Sequence, residues 1–280
     1  MGKLLAAIDY GPASAAVLQA LLPLRRKLRD SLVLYHAYQL PRGLPFLSAH
    51  VIEQMEKEAA QAAHRRLREF VAAHVPANER RSIRLVSQQD FLTEGLHRYL
   101  QSRSYRLLAL GAQGQSDESE GAIGFHTRHF IHHASIPVLV VFPDSRMGWK
   151  RMLVVYDADY RSPEGVSFLR TLARKVGTQV AALPLLRPDG RIERMHARLQ
   201  RLLQASAYEK VSWSGPRFVQ LILSTAHAYE ADLIVLFSDP RQALEGMRTL
   251  SMEAFVGGPG WLFLPRPSSP PEEAPTTPAE

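Results

Sequence analysis

Three glycines in the stretch from Tyr105 to Val141 have the spacing of a loop that holds a phosphate group. A short apolar run, 105–110, ends at Gly111 and is typical of a buried strand. Gly114 follows after two residues, and Gly124 after nine more, at the start of a helical pattern. Glycine lets backbone amides approach an anion closely, and a helix start adds free N–H groups and the positive end of the helix dipole. The stretch therefore predicts a phosphate-binding loop between two strands.

This spacing, with a second apolar run at 138–141, resembles the ATP-binding motif of the universal stress protein family. In that family the last glycine is normally followed by Ser or Thr, whereas here Phe125 takes that place. Thr127, two positions later, matches a second hydroxyl position of the nucleotide-binding members, and we expect it to donate a hydrogen bond instead. The resemblance implies that ATP, alone or with Mg²⁺, is contacted by Gly111, Gly114, Gly124, Phe125, His126 and Thr127.

Asp9 is a further candidate, because it directly follows the first predicted strand, 4–8. Ligands of doubly wound sheets bind at the carboxyl ends of strands, where the strand order reverses. The resemblance places an adenosine-contacting Asp at this position, while a turn or helix cap is the alternative role of Asp9. The second strand, 32–38, resembles the family's strand that ends in His and a small residue, which implies that a backbone group near Ala37 contacts adenine.

Apolar runs alternate with helical patterns through the first half of the chain. The predicted strands are 4–8, 32–38, 82–87, 105–110 and 137–142, and the predicted helices are about 11–28, 50–73, 90–101 and from 124 onward. Such alternation is typical of a parallel sheet covered on both faces. The resemblance implies an α/β, doubly wound, five-stranded sheet with strand order 3-2-1-4-5, which is Rossmann-like and similar to the adenine nucleotide alpha hydrolases.

The second half repeats the first, element by element. Residues 152–157 (MLVVYD) mirror residues 4–9 (LLAAID), and 231–235 (ADLIV) closely matches the family's fourth strand. The other predicted elements are helices at 163–176, 192–205 and 216–229, and strands at 179–186, 210–214 and 261–264. An internal repeat of this kind indicates two tandem domains of the same fold.

The repeat departs from the first copy at the glycine motif. On the same spacing the three glycine positions hold Phe237, Pro240 and Leu250, and Asp239 and Glu253 add carboxylates. Bulky side chains block backbone approach, proline lacks an N–H, and carboxylates repel phosphates, although Ser251 keeps a hydroxyl. We therefore predict that the second half does not bind a nucleotide.

The predicted domains are 1–144 and 150–266, with a short linker between them and a proline-rich tail, 267–280, that is expected to be disordered. The resemblance implies that the halves pack through their fifth strands as a pseudo-dimer. It also allows two such chains to associate as a homodimer.

Four histidines, His126, His129, His132 and His133, fall on one predicted helix. His126, His129 and His133 share an arc of about 80° and are a candidate metal site, with zinc as the expected ion. Since no cysteine or nearby carboxylate completes a tetrahedron, we favour a site without metal. Partly protonated histidines near the loop are a third role, because they attract phosphate.

Composition narrows the classes of function. The formal net charge is +7 and the pI is about 9.8, but the sequence has none of the usual nucleic-acid-binding patterns, so an arginine-rich surface is the preferred interpretation. No apolar run is long enough to span a membrane, and the chain has no cysteine.

No catalytic signature is present, so slow ATP hydrolysis is the most that we expect of this chain as an enzyme. The resemblance implies a cytoplasmic, stress-response regulatory protein. Two alternatives stay open: an interaction or scaffold protein that has lost both nucleotide sites, and a protein that binds a different small ligand in its divergent second half.

Overall fold

The structure is a computed structural model. It describes residues 2–40, 48–114, 121–145, 147–157, 162–186, 206–207, 211–212 and 218–265.

The first half contains five strands and five helices in the described ranges. In chain order they are β1 (Lys3–Ala7), α1 (Pro12–Leu28), β2 (Ser31–Tyr38), α2 (Ala49–His74), α3 (Ala77–Arg80), β3 (Ile83–Gln89), α4 (Leu92–Gln101), β4 (Leu107–Gly111), α5 (Phe125–His133) and β5 (Val138–Val141). Each predicted element of this half is present, with its ends moved by a few residues.

The second half repeats this order over the part that is described. Its elements are β6 (Arg151–Asp157), α6 (Pro163–Val176), β7 (Gln179–Leu186), β8 (Ser206–Ala207), β9 (Val211–Ser212), α7 (Phe218–Ala228), β10 (Leu233–Phe237), α8 (Pro240–Arg248), a short 3₁₀ helix (Met252–Ala254) and β11 (Gly260–Phe263). The predicted helix at 192–205, most of the predicted strand at 210–214, and the tail at 267–280 lie outside the described residues.

The strands form one continuous sheet. The first half has the order β3-β2-β1-β4-β5, all parallel, which confirms the predicted 3-2-1-4-5 arrangement. The second half continues as β11-β10-β6-β7, with β8 and β9 both paired to β7. The fifth strands of the two halves, β5 and β11, pair antiparallel, with Trp261 opposite Val140.

Both faces of the sheet are buried, which explains why its strands read as almost continuous apolar runs. Successive residues of β1 alternate between the two core clusters: Leu4 and Ala6 lie on one face, and Leu5 and Ala7 on the other. The halves also meet away from the sheet, where the side-chain amine of Lys27 in α1 donates to the carbonyl oxygen of Val176 in α6 at 3.1 Å.

Helix α8 was not predicted from the sequence. The sequence patterns predicted no element for the segment that corresponds to the glycine loop, and Pro240 entered the prediction only as a lost N–H donor. Instead, Asp239 caps the helix by accepting from the amide of Arg241 at 2.9 Å, and Pro240 lies in the first turn, where an N–H has no intrahelical partner. The apolar side of α8 is buried through Ala243, Leu244 and Met247.

Within the described ranges, no helix combines the length and the hydropathy that a bilayer-spanning helix needs.

Candidate functional site

A cavity of about 560 Å³ opens at the carboxyl ends of β1, β2 and β4. This volume lies within the usual range for small-molecule sites, roughly 300–1,000 Å³. Its wall brings together seven of the eight predicted site residues: Asp9, Ala37, Gly111, Gly114, Phe125, His126 and Thr127. The eighth, Gly124, is the N-cap of α5, directly before the part of the wall that begins at Phe125.

The described parts of the glycine loop are held by backbone contacts. The amide of Gly124 donates to the carbonyl oxygen of Ala112 at 2.8 Å. A Cβ atom on Gly111 would lie 2.9 Å from the Cβ of Ala13, so Gly111 also lets the end of β4 pack closely against α1. The first intrahelical bond of α5 runs from the amide of Arg128 to Gly124 at 3.0 Å. The amides of residues 125–127 precede that bond and therefore have no intrahelical acceptor, which is the arrangement that suits an anion.

Asp9 takes part in the turn after β1. Its Oδ1 atom accepts from the amide of Gly11 at 2.9 Å and from the hydroxyl of Ser14 at 2.8 Å. The turn role that the sequence left open is therefore present. An ionised carboxylate offers several acceptor positions on its two oxygens, so this turn and a contact to a ligand are compatible.

Thr127 makes a hydrogen bond that the sequence did not predict. Its hydroxyl donates to the carbonyl oxygen of Gly111 at 2.7 Å, and the residue is only 5% exposed. A hydroxyl has one proton to donate, so in this arrangement Thr127 cannot also donate to a phosphate. Thr127 instead fixes the first turn of α5 to the end of β4.

The start of α4 supplies a second wall of the cavity, which sequence reasoning missed. Asp90, Phe91, Leu92, Thr93 and Glu94 line it. Thr93 is hydrogen-bonded to Nδ1 of His126 at 2.7 Å, which joins α4 to α5. The available signal was their position directly after β3, since the carboxyl ends of parallel strands share one edge of a sheet.

Two aromatic side chains that line the cavity, one beside the start of α4 and one at the start of α5, are unusually accessible. Phe125 is 60% exposed and Phe91 is 44% exposed, and both line the cavity. Exposed aromatic groups that line a concave site are candidates for contact with a ligand or a partner.

His36 also lines the cavity, next to Ala37 at the end of β2. Its Nδ1 atom is 2.8 Å from the carbonyl oxygen of Ile8, so Nδ1 carries the proton and donates. Burial lowers the pKa of His36 below its ordinary value, and the nearby Arg66 guanidinium adds to this effect, against the raising effects of the Ile8 hydrogen bond and Asp9. A neutral His36 therefore presents Nε2 as an acceptor.

The charged side chains that line the cavity are all acidic: Asp9, Asp90 and Glu94. Asp90 forms an ion pair with Arg98 of α4. Among the lining residues that the structure describes there is neither Lys nor Arg. A bound polyphosphate would thus depend on backbone amides, on the α5 dipole and on an accompanying cation.

The histidines of α5 do not assemble as a metal site. His126 is bonded to Thr93, whereas the rings of His129 and His133 lie 4.6 Å apart, centroid to centroid. Within the described residues, no three His, Asp or Glu side chains are placed to share a metal ion. Burial lowers the pKa of His129, and His133 and His97 lower it further, so the imidazole of His129 resists protonation.

The second half presents a different surface at the equivalent strand ends. Phe237, at the first glycine position, is buried, and Asp239 and Pro240 begin α8. A packed helix therefore follows β10 where a glycine loop follows β4.

Comparison with known proteins gives a consistent result. A model described as the universal stress protein family matches residues 1–141. Among solved structures, a universal stress protein from Archaeoglobus fulgidus is similar with a TM-score of 0.61 at 15% identity, covering 94% of this chain and 96% of that one. A putative universal stress protein from Pseudomonas aeruginosa has a TM-score of 0.55 at 15% identity, with coverages of 94% and 92%. At these identities the structures show a shared fold across both halves. No curated protein matches the chain.

Proposed function

Because the chain belongs to the universal stress protein family, we propose that its first half binds an adenine nucleotide, ATP with Mg²⁺, and acts as a regulatory protein of the stress response. One observation carries the proposal: the glycine loop, the start of α5, Asp9 and Ala37 converge on a single cavity of about 560 Å³. These residues come from three strand ends that are far apart in sequence, and the topology brings them to one edge of the sheet.

The chemistry of the cavity suggests how the nucleotide lies. The end with His36 and Ala37 offers a backbone edge and a neutral imidazole, which suit an adenine base. Asp9, at the end of β1, suits the ribose hydroxyls, since a carboxylate accepts hydrogen bonds. The phosphates then lie at the amides of residues 125–127.

The acidic lining of the cavity favours a nucleotide whose phosphate charge is partly neutralised by a cation. Asp9, Asp90 and Glu94 line the cavity. Carboxylates raise the free energy of a nearby polyphosphate. We therefore propose that Mg²⁺ accompanies ATP and offsets part of this repulsion.

The proposed stoichiometry is one nucleotide per chain, because the second half lacks the glycines. We also propose a cytoplasmic protein, with the homodimer as its assembly. We do not assign a membrane or nucleic-acid partner.

The second candidate function is an interaction protein that binds no nucleotide. Two observations favour it: the exposed Phe91 and Phe125 at the mouth of the cavity, and a described lining without Lys or Arg. In this case the two aromatic side chains contact a partner protein.

Isothermal titration calorimetry of the full-length chain distinguishes these candidates. ATP with Mg²⁺ should give about one site per chain, and AMP should bind more tightly than ATP once EDTA has removed the metal. Gly114→Val should abolish binding by blocking the backbone, while Gly257→Ala, at a left-handed glycine with no neighbouring atom within 4 Å, should cost some stability and leave the affinity unchanged. If the unmodified chain gives no heat at submillimolar ATP with Mg²⁺, the interaction-protein function replaces the proposal.

A further inference from the structure

Helix α8 of the second half lies against the end of the glycine loop of the first half. The amide of Ala122 donates to the carbonyl oxygen of Met247, in the last turn of α8, at 3.3 Å. Both residues are completely buried. This hydrogen bond joins the two halves two residues before Gly124, the N-cap of α5.

The neighbouring contact is between backbones. Gly121 has a φ of +96°, and a Cβ atom at this position would lie 2.9 Å from the Cα of Arg248 and 3.0 Å from its carbonyl oxygen. Backbone atoms cannot yield as a flexible side chain does, so a side chain at 121 would displace either the loop or α8. Only glycine combines this conformation with so close an approach.

The contact continues from α8 to the wall of the cavity. Gln113 lines the cavity, and its side-chain amide donates to the carbonyl oxygen of Gly121 at 2.6 Å. Gly121 in turn touches Arg248, and the next residue, Ala122, is bonded to Met247. A displacement of α8 therefore changes the position of a residue that faces the proposed ligand.

We propose that α8 is a positioning element of the nucleotide site in the first half. It fixes the end of the glycine loop, and through the loop it sets where the first-turn amides of α5 lie. This inference rests on the proposed function and adds that the second half, which has a helix where its own glycine loop would be, completes the site of its neighbour. Because coupling between two elements is reciprocal, a bound nucleotide should also stabilise α8.

A substitution inside the second half tests the inference without touching the cavity. A Cβ atom on Gly246 would lie 2.6 Å from Cγ2 of Val219 in α7, so Gly246→Ala should shift α8. In the full-length Gly246→Ala variant without nucleotide, we expect the amide hydrogen of Ala122 to exchange with solvent faster than in the unmodified chain, as measured by NMR. We expect the affinity of this variant for ATP with Mg²⁺ to be about tenfold lower than that of the unmodified chain. Val180→Ala, a buried substitution in β7, is the control for general loss of stability and should change neither quantity.

A second pair of variants tests the contact from the loop side. Gly121→Ala and Gly257→Ala both place alanine at a left-handed glycine, but a side chain at 257 meets nothing within 4 Å. Gly121→Ala should weaken the binding of ATP with Mg²⁺ about tenfold, while Gly257→Ala should leave it unchanged. Thermal unfolding of both variants separates loss of the fold from loss of binding.

The outcomes are distinct. If Gly246→Ala leaves exchange of the Ala122 amide unchanged, or if neither Gly121→Ala nor Gly246→Ala weakens nucleotide binding, the positioning role of α8 is wrong. If the unmodified chain binds no nucleotide but Ala122 still responds to Gly246→Ala, the contact stands and the proposed nucleotide function fails. If adding ATP with Mg²⁺ slows amide exchange in α8 and leaves exchange in α6 unchanged, both nucleotide binding and the positioning role of α8 are supported.

Discussion

The hydroxyl of Thr127 donates to the carbonyl oxygen of Gly111 at 2.7 Å and ties the first turn of α5 to the end of β4. Thr127→Val keeps the shape but leaves the partly buried Gly111 oxygen without this donor, and a typical intramolecular hydrogen bond is worth about 0.5–1.5 kcal/mol. We expect a loss of that size in the free energy of unfolding in urea, together with weaker nucleotide binding. Thr127→Ser keeps the donor and is the control. If Thr127→Val unfolds at the same urea concentration as the unmodified chain, the bond contributes nothing.

The turn at Asp9 allows its structural role to be separated from its proposed role in binding. Asp9→Asn keeps an oxygen that can accept from Gly11 and Ser14 but removes the charge, whereas Ser14→Ala removes both hydrogen bonds between the Ser14 hydroxyl and Asp9 and keeps the carboxylate. If Asp9 contacts the ribose, Asp9→Asn should weaken nucleotide binding by about tenfold, or 1.4 kcal/mol, with little loss of stability. Ser14→Ala should lower the free energy of unfolding and leave nucleotide affinity nearly unchanged. Calorimetry and urea unfolding of both variants measure the two effects, and equal affinities would assign Asp9 to the turn alone.

The sequence predicted most of the first half because its signals are local. Apolar runs between helical patterns identify the strands, and the glycine spacing, together with Asp9 and Ala37, identified most of one wall of the cavity. The partner of Thr127 was not predictable, since the donor to a phosphate and the donor to Gly111 are the same hydroxyl and only the fold decides between them. Helix α8 was missed because Asp239 and Pro240, which start it, were considered only as departures from the glycine motif and not as helix-start signals.

Acidification should destabilise the protein through two histidines. Burial lowers the pKa of His36, and burial together with His133, His97 and His126 lowers the pKa of His129 against the raising effect of Glu94. A lowered pKa means that the unfolded chain binds these protons first. Their contribution to stability is therefore complete above the ordinary histidine pKa of about 6.5 and is lost as the pH falls below it.

Urea unfolding between pH 8 and pH 5 measures this effect in a range that lies above the ordinary pKa values of Asp and Glu. We expect a stability that is constant down to about pH 6.5 and then declines. His129→Gln should reduce the decline, since it removes one of the two titrating groups. Stability that rises on acidification would contradict the assignment.

Phe125 occupies the position where the family motif carries a hydroxyl, and it is 60% exposed at the wall of the cavity. The Thr127 hydroxyl already donates to Gly111, so it does not replace the hydroxyl that is missing at position 125. A hydrogen bond to a charged group is worth about 1.5–3 kcal/mol, so Phe125→Ser should tighten the binding of ATP with Mg²⁺ about ten- to a hundredfold.

Phe125→Ala is the matched control, because it removes the ring without adding a donor. If the missing hydroxyl limits affinity, the serine variant binds more tightly than the alanine variant, and calorimetry measures the difference directly. Equal gains in both variants would mean that the ring obstructs the phosphates. Loss of affinity in both would mean that Phe125 itself contacts the ligand, and the site would then favour a group that packs against an aromatic ring over a bare triphosphate.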